Sequence, residues 1–157
     1  MQQIELKKPY QLSINLIKKV EGCRLVAYED SARIPTIGYG TTQYENGKKV
    51  KMGDNITIQE AEFLLIRYCK INIFDKLDRL QKFYGFNDNI YASLASFCYN
   101  LGSIKLSILE AIRSRNLDNL KNSFLKYVKA KIGPEYRIIP GLVNRRKIEI
   151  ENFGESW

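Results

Sequence analysis

Two carboxylates and one threonine near the N-terminus are the side chains of this sequence best suited to chemistry. Glu21 follows a run with helical apolar spacing, Asp30 lies in a polar turn, and Thr36 begins the next strand-like stretch. The partial negative charge at a helix C-terminus disfavours the ionised form of Glu21, whereas a turn carboxylate such as Asp30 stays solvated and ionised. Two carboxyl groups in opposite protonation states are the pair that cleaves glycosidic bonds, although ordinary surface charge also explains this spacing.

A helix and a small sheet are the elements predicted to position these three side chains. Apolar residues at helical spacing predict a first helix that begins at Pro9 and ends at Gly22. Two β-like stretches and an Asn46-Gly47 turn signal predict a small antiparallel sheet over about residues 24–52. A helix end followed by a hairpin can direct all three side chains into one cleft.

A long helix and a series of shorter ones are predicted after the sheet. Thr57 and Glu60 form a capping-box pattern in front of an apolar-periodic run, which predicts a helix to about residue 80. The remaining helices are predicted at 88–101, 105–115, 117–131 and 141–153. One small sheet followed by helices predicts an α+β protein, and the long helix can join two lobes.

The overall composition is that of an ordinary globular protein with an excess of positive charge. Among 157 residues, 45% are hydrophobic and 27% are charged, which excludes intrinsic disorder and a disulfide scaffold. The 25 basic and 17 acidic residues give a net charge of +8. Such a field favours a polyanionic partner, and it leaves nucleic acid, an anionic membrane surface and an acidic wall polymer open.

Histidine is absent, and cysteine is too sparse for a metal site. The absence of histidine excludes Ser-His-Asp and Cys-His catalysis and every histidine zinc site. Cys23, Cys69 and Cys98 have no paired spacing, so we expect reduced thiols and neither metal nor cofactor. No apolar run reaches the roughly 18 residues that a membrane span needs, and residues 1–8 contain no signal-peptide core. We therefore expect synthesis in the cytosol.

Several sequence blocks follow one another in a fixed order along the chain. Residues 21–30 read EGCRLVAYED, and residues 36–40 read TIGYG. Three further blocks follow. Residues 57–62 read TIQEAE at the start of the long helix, residues 95–102 end in an Asn-x-Gly pattern, and residues 140–146 contain a Gly-Leu-x-x-Arg-Arg pattern. Together these blocks resemble the phage-type lysozymes, the endolysins of glycoside hydrolase family 24, over roughly residues 12–153.

The resemblance implies a lysozyme-like fold with a single domain over residues 1–157. A small N-terminal antiparallel sheet lobe, about 12–56, would be joined by a long helix, about 57–80, to a mainly helical C-terminal lobe, about 81–157. The implied activity is hydrolysis of the β-1,4 bond between N-acetylmuramic acid and N-acetylglucosamine in bacterial peptidoglycan, which causes host cell lysis.

The resemblance also implies catalytic roles for the three side chains named first. Glu21 would be the general acid that protonates the leaving glycosidic oxygen. Asp30, helped by Thr36, would hold the attacking water or stabilise the developing oxocarbenium charge. An inverting reaction needs the carboxyl groups about 6.5–9.5 Å apart, whereas a covalent route through Asp30 needs closer placement, and the sequence leaves both open.

Further positions match the family's substrate cleft and its arginine. Tyr99, Asn100 and Gly40 are expected to bind substrate, although Tyr99 is equally consistent with a place in the helix core. Arg145 is expected to pair with the catalytic acid, and Arg146 is expected to be a solvated charge.

Two positions depart from the family pattern. Arg33 stands where the family usually has glycine, so a turn that needs positive φ there costs on the order of 1–2 kcal/mol or is reshaped. Thr41 stands where the family commonly has histidine, which removes or replaces the contact of that histidine. These departures concern cleft geometry and pH dependence more than the class of reaction.

The expected partner is peptidoglycan, with no nucleic acid. The resemblance implies a monomer that is made in the host cytoplasm and reaches the cell wall or periplasm after release by a holin-type protein. Charge alone favours a basic helical nucleic-acid-binding module, but the basic residues are scattered. The sequence is also compatible with a catalytically altered lysozyme-like binding domain and with a toxin-like muramidase delivered to a competitor. Cys23, close to Glu21, is a candidate for a regulatory disulfide, although a reduced thiol explains it equally.

Overall fold

Seven α-helices, one π-helical turn and two small antiparallel sheets make up the part of the chain that the structure describes. The structure is a computed structural model, and it describes residues 5–157. Along the chain the elements are α1 (Lys8–Glu21), β1 (Arg24–Glu29), β2 (Pro35–Gly38), α2 (Ile58–Cys69), the π turn (Lys70–Phe74), α3 (Asp75–Tyr84), α4 (Asp88–Leu101), α5 (Leu106–Ser114), α6 (Leu117–Leu125), β3 (Lys129–Ile132), β4 (Glu135–Ile138) and α7 (Pro140–Glu151). None of the helices in this range is both long and apolar enough to cross a membrane. The predicted α+β class is confirmed.

Helix α1 carries Glu21 at its last position and lies against the central helix α4. Pro9 occupies the first turn of α1, where its missing N–H costs no helical hydrogen bond. Gly22, with a φ of 66°, ends the helix where the sequence predicts. Helix α4 is buried continuously over residues 90–98, so it forms the centre of the helical core. The packing of α1 on α4 therefore places the Glu21 end of α1 beside the middle of the molecule.

The first sheet pairs β1 with β2 and continues into a hairpin. Tyr28 lies opposite Thr36 in the antiparallel register, so that Asp30 falls in the turn between the strands. Beyond β2, the Tyr44 N–H donates to the Lys48 carbonyl at 2.9 Å and closes the predicted Asn-Gly hairpin. The sheet has its own small apolar cluster, formed by Ala27, Ile37 and Val50.

The long helix runs without interruption from α2 through the π turn into α3. The Thr57 hydroxyl accepts the Glu60 N–H at 3.1 Å, and the Glu60 carboxylate accepts the Thr57 N–H at 2.7 Å, so the predicted capping box is present. The helical stretch ends at Tyr84, beyond the predicted position near residue 80. Gly85 ends it by taking the left-handed conformation, with a φ of 72°.

The π turn is a local departure from regular helical geometry that the sequence did not predict. Ile73 and Phe74 are consecutive residues, and both are buried. Successive residues of an α-helix point about 100° apart, and a wider turn brings two neighbours onto the same buried side. The apolar spacing on each side of the turn is ordinary, so the spacing contains no signal for it.

A second hairpin follows α6 where a helix was predicted. The helix predicted over 117–131 ends at Leu125, and strand β3 pairs with β4 around Gly133 and Pro134. The prediction that only helices follow the first sheet is therefore wrong. The reason lies in the turn, because Gly133, with a φ of 60°, reverses the chain, and residues 129–132 then pair with residues 135–138.

Asp78 of α3 connects three helical segments through hydrogen bonds to its carboxylate. Its Oδ2 accepts hydrogen bonds from Lys7 Nζ and Tyr10 Oη, both at 2.7 Å, and its Oδ1 accepts one from Tyr91 Oη at 2.8 Å. Burial raises the pKa of Asp78, but the three hydrogen bonds outweigh burial and lower the pKa below its ordinary value. Such a carboxylate stabilises the fold above its unfolded-state pKa, and this stabilisation is lost as the pH falls through the lower, folded-state pKa.

We expect Asp78→Asn to lower the free energy of unfolding at neutral pH by about 1–3 kcal/mol, because the charged acceptor of three hydrogen bonds is lost. The difference from the native chain should shrink below about pH 4, where the unfolded chain binds a proton at this position. Urea unfolding followed by circular dichroism at several pH values measures both effects. Asp75→Asn is the control, since its pair with Arg79 is exposed and worth about 0.5 kcal/mol or less. Equal losses in the two variants would contradict the structural role of Asp78.

Candidate active site

Glu21 is paired with an arginine from the opposite end of the chain. Its half-buried carboxylate accepts a hydrogen bond from Arg145 Nη1 of α7 and forms an ion pair with it. Arg145 is 8% exposed, its Nη2 donates to the Ser96 carbonyl at 2.9 Å, and its Nε donates to Glu149 Oε1 at 3.0 Å. Because Ser96 and Glu149 hold the guanidinium from other sides, it fixes the position of the Glu21 carboxylate.

Behind Arg145 lies a buried charge network that the sequence did not predict. Glu149 and Arg146 are fully buried, and Arg146 Nη1 lies 3.0 Å from Glu149 Oε2 as an ion pair without hydrogen-bond alignment. Ser96 Oγ donates to Glu149 Oε1 at 2.7 Å. Burial raises the pKa of Glu149 against the lowering effect of Arg146, Ser96 and Arg145. The signal for this network was the helical spacing of Glu149, three and four residues after the two arginines.

Arg146 is buried, so its prediction as a solvated charge is wrong. Its Nη2 donates to Asn100 Oδ1, and its guanidinium lies 4.8 Å from the centre of the Phe97 ring. Helix α7 contacts α1, α4 and α6, and these neighbours leave Arg146 with no exposed surface. Burial lowers the pKa of Arg146, but an arginine stays protonated in proteins. The side-chain oxygen of Asn100 is therefore occupied by Arg146, and its Nδ2 has no protein acceptor within residues 5–157.

Asp30 in the turn between β1 and β2 and Thr36 at the start of β2 are connected through the backbone of Ile34. Asp30 Oδ1 accepts the backbone N–H groups of Ala32 and Ile34, at 2.8 and 2.9 Å. Thr36 Oγ1 donates to the Ile34 carbonyl at 2.9 Å, and the same carbonyl accepts the Asp30 N–H at 3.1 Å. In the part of the chain that the structure describes, Asp30 Oδ2 has no hydrogen-bond donor, so it is available to a ligand.

Arg33 occupies the left-handed region inside this turn, with a φ of 61°. The turn therefore has the positive φ that a glycine would adopt freely, and the arginine costs on the order of 1–2 kcal/mol. The Arg33 N–H donates to the Asp30 carbonyl at 2.9 Å, which adds to the hydrogen bonds that close the turn and offsets this cost.

The structure brings the candidate catalytic side chains together in two groups. Glu21 is joined to α7 through Arg145, whereas Asp30 and Thr36 belong to the first sheet, in its turn and in β2. Across residues 5–157, no hydrogen bond or ion pair links the two groups. Burial, with the negative charge of Glu21 adding to it, raises the pKa of the Tyr99 hydroxyl.

Tyr99 and Gly40 border an open cavity of about 550 Å³. Tyr99 Oη donates to the Tyr39 carbonyl at 2.6 Å, which fixes the orientation of the ring. Gly40 has a φ of 100°, and a Cβ there would lie at an ordinary 3.7 Å from the Tyr99 hydroxyl, so the backbone conformation rather than lack of space favours glycine. Thr41, the departure from the family pattern, also lines the cavity, and its backbone pairs with Ile37 in two hydrogen bonds of 2.8 Å.

Known structures share this architecture over nearly the whole chain. An endolysin from Escherichia coli O157:H7 phage FAHEc1 superimposes with a TM-score of 0.72 at 28% identity, covering 99% of this chain and 97% of that one. A crystal structure of a P22 lysozyme mutant superimposes with a TM-score of 0.66 at 30% identity, covering 98% of this chain and 99% of that one. The predicted lysozyme-like fold is confirmed, and the class of protein is that of the lysozyme-type glycoside hydrolases.

Sequence comparisons identify the family. A model of the phage lysozyme family matches residues 18–149. The chain is 31% identical over 137 residues to an endolysin of Acyrthosiphon pisum secondary endosymbiont phage 1, with 85% of this chain and 89% of that protein aligned. It is 34% identical over 125 residues to an endolysin of Salmonella phage P22, with 78% and 84% aligned. The chain belongs to the phage lysozyme family, and it is a muramidase that hydrolyses the peptidoglycan of the bacterial cell wall.

Proposed function

We propose that Glu21 is the general acid of peptidoglycan hydrolysis. The observation that supports this role most is its ion pair with Arg145, which fixes the carboxyl group at the end of α1. Protonated Glu21 gives its proton to the glycosidic oxygen as the C–O bond breaks. Arg145 then stabilises the carboxylate that is left, and Glu149 and Ser96 act as positioning residues for Arg145.

Asp30 and Thr36 bind the attacking water in this proposal. Asp30 Oδ2 is available to accept one hydrogen of the water, since Oδ1 is occupied by two backbone N–H groups. Thr36 directs its own hydrogen to the Ile34 carbonyl, so its oxygen can accept the second hydrogen of the water. The lone pair of the water is then free to attack the anomeric carbon, and Asp30 takes the proton that the water loses.

Tyr99, Asn100 and Gly40 bind the glycan in this proposal. Tyr99 and Asn100 are half-buried and Gly40 is exposed, so all three have surface to offer to a sugar. Asn100 Nδ2 can donate to a sugar oxygen, because Arg146 occupies the other end of its amide. Gly40 presents its backbone without a side chain, which permits the close approach of a sugar ring.

The biological setting proposed here follows the family. The chain acts as a monomer and as a single domain over 1–157, with lobes at about 12–56 and 81–157 and the helix of about 57–80 between them. It is made in the host cytoplasm and reaches the wall after release by a holin-type protein. The net charge of +8 attracts the chain to the carboxylates of peptidoglycan, an attraction that salt weakens.

Analysis of the soluble products of digested peptidoglycan tests this function. We expect new reducing N-acetylmuramic acid ends, because water is the nucleophile that reaches the anomeric carbon. Products ending in 1,6-anhydro-N-acetylmuramic acid would show an internal attack by the sugar instead. That result would contradict the role of Asp30 and Thr36 in binding water.

A further inference from the structure

The cavity beside Tyr99 and Gly40 is larger than a contact with one sugar requires. Its volume of about 550 Å³ falls within the range of ligand-binding sites, and it lies between the loop after β2 and the surface of α2 and the π turn. Tyr99 and Gly40 belong to its lining. The cavity therefore shares Tyr99 and Gly40 with the proposed glycan site and is also lined by residues of α2 and the π turn.

Arg67 of α2 supplies a positive charge to this cavity. It is exposed and forms no salt bridge with any residue in the described range of 5–157. Arg67 Nη2 donates to the Glu45 carbonyl at 3.4 Å, which is a weak hydrogen bond. A guanidinium has five N–H donors in a planar fork that matches the two oxygens of a carboxylate. Most donors of Arg67 are therefore available to an anionic ligand.

The other walls of the cavity combine apolar surface with amide oxygens. Ile71 is 60% exposed and Tyr68 is 41% exposed, so both present apolar surface to a ligand. Asn72 Nδ2 donates to the Tyr68 carbonyl at 3.0 Å, and Gln43 Nε2 donates to the Gly47 carbonyl at 2.7 Å. Each of these two amides keeps an oxygen that can accept an N–H. Apolar surface, amide acceptors and a cation together match a short acidic peptide.

We propose that this cavity binds the peptide stem of peptidoglycan and that Arg67 pairs with a stem carboxylate. The inference rests on the proposed function of the neighbouring site, and it names the part of the same substrate that the cavity recognises. In the intact polymer the lactyl carboxyl of N-acetylmuramic acid is consumed in its amide bond to the stem, so the glycan is neutral there and the carboxylates lie on the peptide. Gly40, Tyr99 and Arg67 line the same cavity, so Arg67 lies in the cavity that the proposed glycan contacts border.

The first test compares two matched substrates. One is peptidoglycan whose stem carboxylates are free, and the other is the same polymer after chemical amidation of those carboxylates. We expect the native chain to have about a tenfold higher kcat/KM on the free form, because amidation removes one charge-assisted contact. Arg67→Gln is expected to reduce this ratio to near one. Arg113→Gln is the control, since it removes the same charge at an exposed position of α5, and it is expected to keep the native ratio.

Three outcomes of that test would overturn the proposal. The native chain could cleave both polymers equally well, or Arg67→Gln could keep the native ratio. A third outcome is a loss of kcat/KM in Arg67→Gln that is equal on both polymers, which would identify the cavity as a sugar site.

Binding of a free stem peptide separates this proposal from the catalytic one. The probe is the dipeptide L-alanyl-D-glutamate, titrated into the native chain and followed by the backbone amide signals of Gln43, Arg67 and Asn72. We expect saturable shifts in the native chain and about a tenfold higher Kd in Arg67→Gln. An absence of shifts would refute the peptide site and leave the role of Glu21 standing. If the native chain binds the dipeptide saturably but the Glu21→Gln variant still cleaves peptidoglycan, only the catalytic proposal is refuted.

Discussion

Replacement of Glu21 by glutamine is expected to lower the rate of peptidoglycan lysis by about 10²–10⁴-fold, because the leaving oxygen loses its proton donor. Glutamine has the shape of glutamate and keeps an oxygen that can accept from Arg145. Arg145 itself keeps its partners Ser96 and Glu149 in the variant. The melting temperature should therefore change by less than about 4 °C, the shift that about 1 kcal/mol produces in a chain of this size.

Turbidity of a peptidoglycan suspension measures the rate, and thermal unfolding by circular dichroism measures the stability. Glu29→Gln is the matched control, since it makes the same chemical change at an exposed residue in the same segment of the chain. The control is expected to lyse at the native rate. Lysis by Glu21→Gln at a rate close to that of the control would exclude Glu21 as the acid. A large fall in melting temperature would assign the loss of activity to the fold.

Two substitutions of Asp30 separate its charge from its place in the turn. Asparagine keeps an oxygen for the N–H groups of Ala32 and Ile34 but removes the charge, whereas alanine removes both. We expect each variant to lose about 10²-fold or more of the lysis rate, because neither can accept a proton from the attacking water. The alanine variant is also expected to be less stable than the asparagine variant by about 1–3 kcal/mol, because two backbone N–H groups lose their acceptor.

The two Asp30 variants also distinguish a chemical role from a structural one. If asparagine retained the native lysis rate while alanine lost it, Asp30 would act through the geometry of the turn and would have no part in the proton transfer. Measured kcat and KM add to this distinction. Loss of a group that acts in the chemical step lowers kcat, while a distorted turn that weakens substrate binding raises KM.

Local patterns in the sequence were sufficient to predict where the helices next to the proposed site end and begin. The end of α1 at Gly22 followed from glycine after an apolar-periodic run, and the start of α2 followed from a capping box at Thr57. Both signals lie within a few residues of the feature that they predict. The family resemblance then supplied the roles proposed for Glu21, Asp30 and Thr36, because the spacing of the carboxylates alone does not distinguish them from surface charge.

The family narrows the choice of polyanionic partner for this positively charged chain. A net charge of +8 by itself favoured nucleic acid as much as a wall polymer. Because the chain belongs to the phage lysozyme family, peptidoglycan is the partner that this charge is expected to attract. In the proposal for the cavity, the positive charge of Arg67 has a specific carboxylate partner on the peptide stem. The other positive charges of the chain act through long-range attraction.

The sequence by itself determined the class of the fold, the end of α1, the start of α2 and the motif that contains the catalytic candidates, because each depends on neighbours along the chain. Tertiary structure alone decided that Arg146 is buried, that Glu149 supports Arg145 and that residues 129–138 form a hairpin. Burial of a charged side chain depends on which helices cover it and on partners far away in the sequence. The pairing of Glu21 with Arg145 joins residues 124 positions apart, and only the packing of α7 against α1 and α4 brings them into contact.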